Sequence, residues 1–203
     1  RGEVLNTLDE LTPEGGKNIN YPTYTDNASK TALTWAKYLD PFEQYPNVWN
    51  TGACVIVFRY AEVLLSYAEA ENELNGPSAQ VYDYLDQIRT RAGMPVVDRA
   101  KYASKDQLRE LIRRERQVEL CFENLRYFDT RTWMTAETDN NMPVYGMNIA
   151  AKDHKANGEF WQRVICKYDG GRDGNRAFTK RCYLFPISQE ELDRVKCTQN
   201  YGW

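Results

Sequence analysis

The sequence of 203 residues contains a single histidine, His154, and this scarcity excludes several kinds of active site. A Ser-His-Asp or Cys-His pair would have to use that residue, and no G-x-S-x-G or active-site cysteine motif accompanies it. The five cysteines contain no C-x-x-C pair, which disfavours structural zinc. We therefore expect no cofactor and no metal, and we interpret His154 as a solvated side chain.

Long apolar runs and a strong charge of either sign are also absent. No run of 18 apolar residues exists, so no membrane-spanning helix is predicted. The 26 basic and 29 acidic residues give a net charge of −3, which does not favour nucleic acid as a partner. The chain has 14 Tyr and 5 Trp against 7 Phe. Tyr and Trp combine an apolar face with a polar edge, which suits sugar faces and wet interfaces as well as cores.

A change of pattern at residue 54 separates a loop-rich start from a helical region. Residues 1–53 are dense in Pro, Gly, Asn and Thr and predict loops and short strands. Residues 55–75 then show a helical period of three and four. Its apolar positions are Val57, Ala61, Leu64 and Ala68, with Leu65 and Leu74 beside them.

A second helix is predicted directly after the first. Asn75-Gly76-Pro77 ends the first helix, and Ser78 can cap the next. The second stripe consists of Val81, Leu85, Ile88 and Ala92. Helices joined by so short a turn fold back on each other. The pair is similar to one tetratricopeptide-type unit, which needs neighbours to bury its apolar face.

The capping-box pattern Ser104-Lys105-Asp106-Gln107 predicts a third helix that extends to residue 127. Its stripe consists of Leu108, Leu111, Val118, Phe122 and Leu125, and Glu115 falls on it. A partly buried carboxylate needs a guanidinium partner. Arg116, Arg126 and Arg131 are within reach along the sequence, and we predict a structural ion pair between Glu115 and Arg126.

Carboxylates near this helix leave an enzymatic alternative open. A glycosidase needs two carboxyl groups that face each other across a cleft. Glu115 and Glu119, however, lie on one helix face among arginines, and Asp129 follows shortly after. This arrangement favours ion pairs that support the helix.

A β-hairpin is predicted toward the C-terminus. Two strand-like runs, 160–168 and 177–185, flank a turn-forming segment at 169–175. Cys166 and Cys182 lie one per run at similar distances from the turn, so a disulfide between them is an alternative to two free thiols. Asp169, Asp173 and Asn175 offer oxygen ligands for calcium, but the turn explains them and the EF-hand spacing is absent.

Five segments, in order, resemble the C-terminal part of the SusD/RagB family of surface nutrient-binding lipoproteins. They are 59–74 (RYAEVLLSYAEAENEL), 88–95 (IRTRAGMP), 115–133 (ERQVELCFENLRYFDTRTW), 176–188 (RAFTKRCYLFPIS) with Glu191-Leu192, and 199–203 (QNYGW). The chain departs from the family at Ser188 and Tyr201, where family members often have proline. Both positions are predicted turns, so neither departure changes the expected fold.

The resemblance implies a mainly α fold of tetratricopeptide-like helical hairpins with a loop-rich region and a small β-hairpin near the C-terminus. The corresponding regions are 1–53 (loop-rich), 54–133 (helical scaffold) and 134–203 (hairpin and C-terminal cap). It implies a non-catalytic protein of Bacteroidetes that binds a glycan and delivers it to a SusC-like TonB-dependent transporter. It also implies a lipid anchor on the outer face of the outer membrane.

The same resemblance makes this chain the C-terminal portion of a longer protein. The anchor and the N-terminal half would lie upstream of Arg1, and that half would be a further partner. We therefore expect an exposed apolar strip on the helices predicted at 55–75 and 104–127.

Glycan binding would depend on aromatic faces that stack on pyranose rings. The candidates lie in the loop-rich start: Tyr21, Tyr24, Trp35 and Trp49, with Tyr38 and Tyr45 beside them. The alternative for each is that it packs under its own loop. A peptide as the cargo, or a helical-repeat module that recognises a protein and no small ligand, are the rival functions.

Overall fold

The structure is a computed structural model and describes residues 37–38, 55–147, 163–165, 167–168, 172–173 and 176–203. The chain divides into two units, Tyr38–Asp129 and the combination of Arg1–Lys37 with Thr130–Trp203. The fold is mainly α, as predicted from the sequence. The helical scaffold lies in the first unit, and short helices and strands make up the described part of the second.

The first two helices form the predicted hairpin. Helix α1 spans Tyr60–Asn75 and α2 spans Ala79–Arg91. Between them Gly76 has φ +80° and ψ −164°, a conformation open essentially only to glycine. The Ser78 side chain accepts a hydrogen bond from the backbone N–H of Val81, which confirms the predicted cap.

Helix α1 begins five residues later than predicted, and its buried face differs from the predicted stripe. Residues 55–58 are Val-Ile-Val-Phe, whose β-branched and aromatic side chains lower helix propensity. Val57 and Leu74 are exposed. The buried face of α1 consists of Leu64, Leu65, Ala68 and Asn72.

Helix α3 spans Lys105–Glu119 and starts with the predicted capping box between Ser104 and Gln107. It ends at Glu119, eight residues before the end predicted at residue 127. The Arg59 guanidinium donates a hydrogen bond of 2.6 Å to the Glu119 carbonyl, and Phe122 takes a positive φ of 62°. A tertiary contact thus holds the carbonyl that a continued helix would use. Val118 and Phe122 are exposed, so the predicted stripe is wrong at these two positions, whereas Leu125 packs against the core.

The core of the helical unit lies between α1 and its two neighbours, α2 and α3. Its largest fully buried apolar side chains are Leu65, Val81, Leu85, Leu108 and Ile112. Each stabilises the fold by about 1.5–3 kcal/mol through apolar burial. Buried Asn72 joins two helices, because its Nδ2 donates to the Lys105 carbonyl at 3.0 Å.

The remaining elements are short. Helix α4 spans Arg126–Thr132, α5 spans Ala136–Asp139 and α6 spans Gln189–Val195, which Ser188 caps as predicted. Strand β1 (Tyr145–Met147) pairs with β2 (Arg163–Ile165), and β3 (Lys167–Tyr168) pairs with β4 (Arg172–Asp173). Both pairs are antiparallel, and the register of the second is Lys167 opposite Asp173 and Tyr168 opposite Arg172. Strand β4 lies inside the segment 169–175 that the sequence predicts as a turn, so the predicted bounds of the hairpin are wrong.

The second predicted strand, 177–185, is wrong. Its centre is a 3-10 helix at Lys180–Tyr183. Just before it, the Asn141 amide binds both backbone groups of Phe178: Oδ1 accepts from its N–H, and Nδ2 donates to its carbonyl at 2.8 Å. A side chain therefore takes the place that a neighbouring strand would fill. Cys182 lies in the 3-10 helix as a free thiol, which favours the alternative of free thiols over a disulfide; Cys166 lies outside the described residues.

Candidate functional site

Glu115 forms an ion pair with Arg89 of α2, and the predicted partner Arg126 is wrong. Both side chains are 15% exposed, which confirms that the Glu115 carboxylate is partly buried. The Arg89 Nε also donates to the Pro95 carbonyl at 2.8 Å. Because the guanidinium comes from the neighbouring helix, the pair joins α2 to α3.

A second group of ion pairs joins the start of α1 to the end of α3. The Arg59 Nε lies 2.9 Å from both carboxylate oxygens of Glu123, and its Nη1 lies 2.6 Å from Glu119. The hydrogen bonds to Glu123 and Glu119 raise the pKa of Arg59, so this guanidinium is a permanent cation. Arg91 contacts Glu119 as well. The group fixes three elements at one end of the scaffold.

The most buried cation of the scaffold is Arg116, which is only 6% exposed. Its Nη2 and Nε donate to the two carboxylate oxygens of Asp129 at 2.9 and 3.2 Å, and its Nη1 donates to the Ser66 hydroxyl at 3.1 Å. The Glu69 carboxylate lies 3.9 Å away. A bidentate pair with a further acceptor satisfies the planar guanidinium.

These contacts decide between the two interpretations of the scaffold carboxylates. Glu115, Glu119 and Asp129 each bind a guanidinium. Glu115 and Glu119 also belong to one helix, so they do not oppose each other across a cleft as a glycosidase pair must. The arrangement matches the predicted ion-paired support and gives none of the three the geometry of a general acid or nucleophile.

Helix α1 also has a second apolar stripe, which is exposed. Its exposed residues recur at helical spacing and are Tyr60, Val63, Tyr67, Ala70 and Leu74; we call them the outer face of α1. An ordinary surface helix has one apolar stripe and one polar face. A helix with two apolar stripes is typical of an interior layer between other elements.

Tyr67 of the outer face also takes part in a polar and aromatic cluster with α2. Its ring meets that of Tyr84 edge to face at 5.1 Å between centroids. Gln80 links the two hydroxyls: Tyr67 donates to its Oε1 at 3.1 Å, and its Nε2 donates to Tyr84 at 2.9 Å. The cluster fixes the orientation of both rings.

A second exposed apolar surface lies near the C-terminus, and we call it the C-terminal aromatic surface. Its members are Lys180, Arg181, Leu184, Phe185, Tyr201 and Trp203. The Arg181 guanidinium lies 4.5 Å from the centre of the Trp203 ring, and the Lys180 ammonium lies 5.7 Å from that of Tyr201. Two cations therefore lie against two aromatic rings.

Hydrogen bonds hold this surface in one conformation. The Trp203 Nε1 donates to the carbonyls of Arg181 and Leu184, each at 3.1 Å. The Gln199 amide accepts from the N–H of Ile187 at 2.8 Å and donates to its carbonyl at 2.9 Å. Gly202 has φ +79°, and a Cβ there would lie 2.8 Å from the Arg181 Cβ.

Most of these residues belong to the two C-terminal segments that resemble the SusD/RagB family, but the sequence does not predict that they form one surface. QNYGW and RAFTKRCYLFPIS are separated by the α6 segment, and no periodicity connects them. The one signal in the sequence that could have indicated it is the pair Lys180-Arg181, which lies close to several aromatic residues. The partners of Arg59 and Arg89 were likewise not predicted, because their contacts cross between helices.

The predicted glycan-binding aromatics Tyr21, Tyr24, Trp35 and Trp49 lie outside the described residues, as do Tyr45 and His154. The calcium candidates Asp169 and Asn175 lie outside them too. Tyr38 is described, and its hydroxyl donates to the Phe122 carbonyl at 3.0 Å.

Across the part of the chain that the structure describes, no group of three or more Cys, His, Asp or Glu side chains could hold a metal ion. Within those same ranges, no helix combines the length and apolar character needed to cross a membrane.

Comparison with known proteins gives a consistent result. A model of the SusD family matches residues 10–203. SusD-like protein P25 of Formosa agariphila is 42% identical over 115 residues, which cover 56% of this chain and 21% of that protein. SusD-like protein P2 of the same organism is 38% identical over 81 residues, covering 37% of this chain and 16% of its own length.

Solved structures agree with the sequence relatives. A SusD-like protein of Bacteroides fragilis superposes with a TM-score of 0.69 at 28% identity, over 87% of this chain and 32% of that one. A SusD-like carbohydrate-binding protein of the same organism gives a TM-score of 0.66 at 29% identity, over 84% and 33%. The chain thus spans about a third of these two solved relatives and 16–21% of the two curated ones.

Proposed function

Because this chain belongs to the SusD family, we propose that it is part of a non-catalytic protein that binds a glycan and passes it to a SusC-like TonB-dependent transporter. Family membership is the observation that carries the proposal. A solved relative described as carbohydrate-binding, which has the same fold over most of this chain, supports it. The location that goes with this role is the outer face of the outer membrane, with a lipid anchor outside this chain.

The ion pairs formed by the scaffold carboxylates support a binding role without catalysis. The carboxylates that could have served a glycosidase are bound to Arg59, Arg89 and Arg116. Such pairs hold helices together and give none of these three carboxylates the geometry of a proton donor. Recognition then falls to aromatic side chains outside the helical core.

The proposed glycan platform consists of Tyr21, Tyr24, Trp35 and Trp49. Their rings would stack on the apolar faces of pyranose rings, and nearby polar side chains would bind the hydroxyl groups. A shallow platform removes little surface from water, so we expect modest affinity for each site. Several sites along one polysaccharide would raise the apparent affinity.

Binding to a panel of purified polysaccharides, by affinity electrophoresis and calorimetry, tests the proposal. We expect binding to at least one polymer without release of reducing ends, and a loss when the four platform aromatics are changed to alanine. Tyr145→Ala is the matched control, since Tyr145 is a partly exposed tyrosine on β1. Failure to bind any glycan, together with tight binding to a protein or a peptide, would favour a protein-interaction module or a peptide-uptake component.

The N-terminal half of the same protein is the proposed occupant of the outer face of α1. The relatives are about three times as long as the matched region, so their remaining length could supply such a cover. Glu69 and Glu73 of α1 already face arginines of α3, but α1 also carries Glu62 and Glu71 and no basic residue, so a basic rim around an apolar stripe would complement it.

Substitutions compared in two contexts test this docking. Leu74→Asp should hardly change the stability of the chain alone, because Leu74 is 79% exposed. In the complete protein we expect a loss of about 3 kcal/mol, since a charge would then be buried without a partner. Gln87→Asp, at an exposed position of α2, is the control for added charge. Equal effects of Leu74→Asp in both contexts would contradict the proposal.

A further inference from the structure

We propose that the C-terminal aromatic surface binds an anionic glycan, one that carries carboxylate or sulfate groups on its sugar rings. The inference rests on the glycan binding proposed above and adds a second site and a ligand class to it.

The first argument is that the two cations of this surface contact aromatic rings and not carboxylates. Within the described ranges, neither Lys180 nor Arg181 has a carboxylate partner; each lies against an aromatic ring instead. In the helical unit, by contrast, Arg59, Arg89 and Arg116 all bind carboxylates. A ring face holds a cation in position without using its N–H donors. The Lys180 ammonium, and those Arg181 donors that do not bind the Cys182 thiol, remain available to an oxyanion.

The second argument is the apolar surface beside the cations. Tyr201 and Phe185 are each 72% exposed, although both belong to segments fixed by hydrogen bonds. An acidic sugar presents both features that this surface would recognise: an apolar face of C–H groups and a charged carboxylate or sulfate at its edge. The ring would stack on an aromatic side chain while the anion binds Lys180 or Arg181.

The size of the surface favours a glycan over an acidic protein. Six residues from two short segments form it. A stable protein interface uses about 20–30 residues on each side. One or two sugar rings match the available contact area. A ligand of this size also needs a surface formed in advance, and the hydrogen bonds from Gln199, Asn200 and Trp203 provide it.

Two matched pairs of polysaccharides test the inference. Polygalacturonate is compared with its fully methyl-esterified form, in which the same backbone carries no charge. Carrageenan, which is sulfated, is compared with neutral agarose. We expect this chain to bind at least one anionic member at least tenfold more tightly than its neutral counterpart, and binding should weaken as salt increases. The two pairs distinguish carboxylate from sulfate.

Point variants assign the binding to the surface. Lys180→Gln leaves the stacking of Arg181 on Trp203 in place, and Tyr201→Ala removes the ring that Lys180 contacts. Each should weaken binding at least fivefold. Arg194→Gln removes the same charge from an exposed arginine that pairs with Glu191, so it should change affinity less than twofold. Far-UV circular dichroism verifies that the variants are folded.

The outcomes separate this inference from the proposed function. Binding to neutral members alone, or anionic binding that Lys180→Gln and Tyr201→Ala leave intact, overturns the inference and leaves glycan binding in place. Absence of binding to any polysaccharide overturns both. Equal binding of poly-glutamate, with the same loss in the variants, overturns the glycan assignment in favour of an acidic polypeptide.

Discussion

The ion pair between Arg116 and Asp129 gives the sharpest test of the scaffold. Changing Asp129 to alanine would leave a guanidinium whose side chain is 7% exposed without its main partner; the Asp129 side chain itself is 12% exposed. Removing one member of a buried ion pair costs about 3–5 kcal/mol. Ser66 still accepts one hydrogen bond, and Glu69 lies 3.9 Å away, so we expect the lower end, about 3 kcal/mol.

The assay is urea unfolding followed by circular dichroism. Asp106→Ala is the control, because Asp106 is 85% exposed in an ion pair with Arg109, and such surface pairs contribute about 1 kcal/mol or less. The double variant Arg116→Met with Asp129→Ala should recover much of the lost stability, since the unpaired charge is gone. A loss in Asp129→Ala no greater than that in the control would refute the reasoning.

Three further predictions concern other contacts. Glu115→Ala should lower the free energy of unfolding by about 2 kcal/mol, because Arg89 would lose its carboxylate partner. Arg109 holds the pKa of Glu73 below its usual value by a hydrogen bond, so the pair stabilises the fold fully above the unfolded pKa of about 4.3 and less as pH falls through the folded pKa. Glu73→Gln should therefore be destabilised near neutral pH, with a deficit that shrinks in acid, as measured by urea unfolding at several pH values. Gly202→Ala should loosen residues 199–203, at a cost of about 1–2 kcal/mol for the left-handed backbone, and carboxypeptidase should release them faster.

Each of these has an outcome that contradicts it. A loss of stability in Glu115→Ala no greater than that in Glu110→Ala, whose carboxylate is 70% exposed, would contradict the first prediction. A Glu73→Gln deficit that stays constant down to pH 3 would exclude the titration of that carboxylate as its cause. For Gly202, the control is Gly93→Ala, which has a similar positive φ but open space around the added Cβ. Identical rates of C-terminal digestion in both variants would contradict the prediction that Gly202→Ala loosens residues 199–203.

Local signals predicted the helical hairpin well because they are complete within a few residues. The Gly76-Pro77 stop, the Ser78 cap and the Ser104–Gln107 capping box each depend on neighbours in sequence. The predicted end of α3 was wrong because Arg59 binds the Glu119 carbonyl from across the fold. No pattern along the chain contains that contact.

The candidate sites were harder to predict, for two physical reasons. Ion-pair partners are chosen by the packing of helices, so Glu115 selects Arg89 over arginines that are nearer in sequence. The C-terminal aromatic surface unites segments about 20 residues apart, as in the hydrogen bond from Trp203 to Arg181. The glycan platform at Tyr21, Tyr24, Trp35 and Trp49 stays a prediction.

The side-chain amides of Asn141 and Gln199 limit which substitutions this chain tolerates. Asn141 and Gln199 each satisfy a donor and an acceptor on one backbone residue, so each does with a single side chain what a whole β-strand does elsewhere. Exchange for the isosteric acid keeps the shape but loses the donor and sets a negative charge against a carbonyl oxygen. Conversion of either amide to its acid, by mutation or by deamidation, would therefore destabilise the local structure, although the shape of the side chain hardly changes.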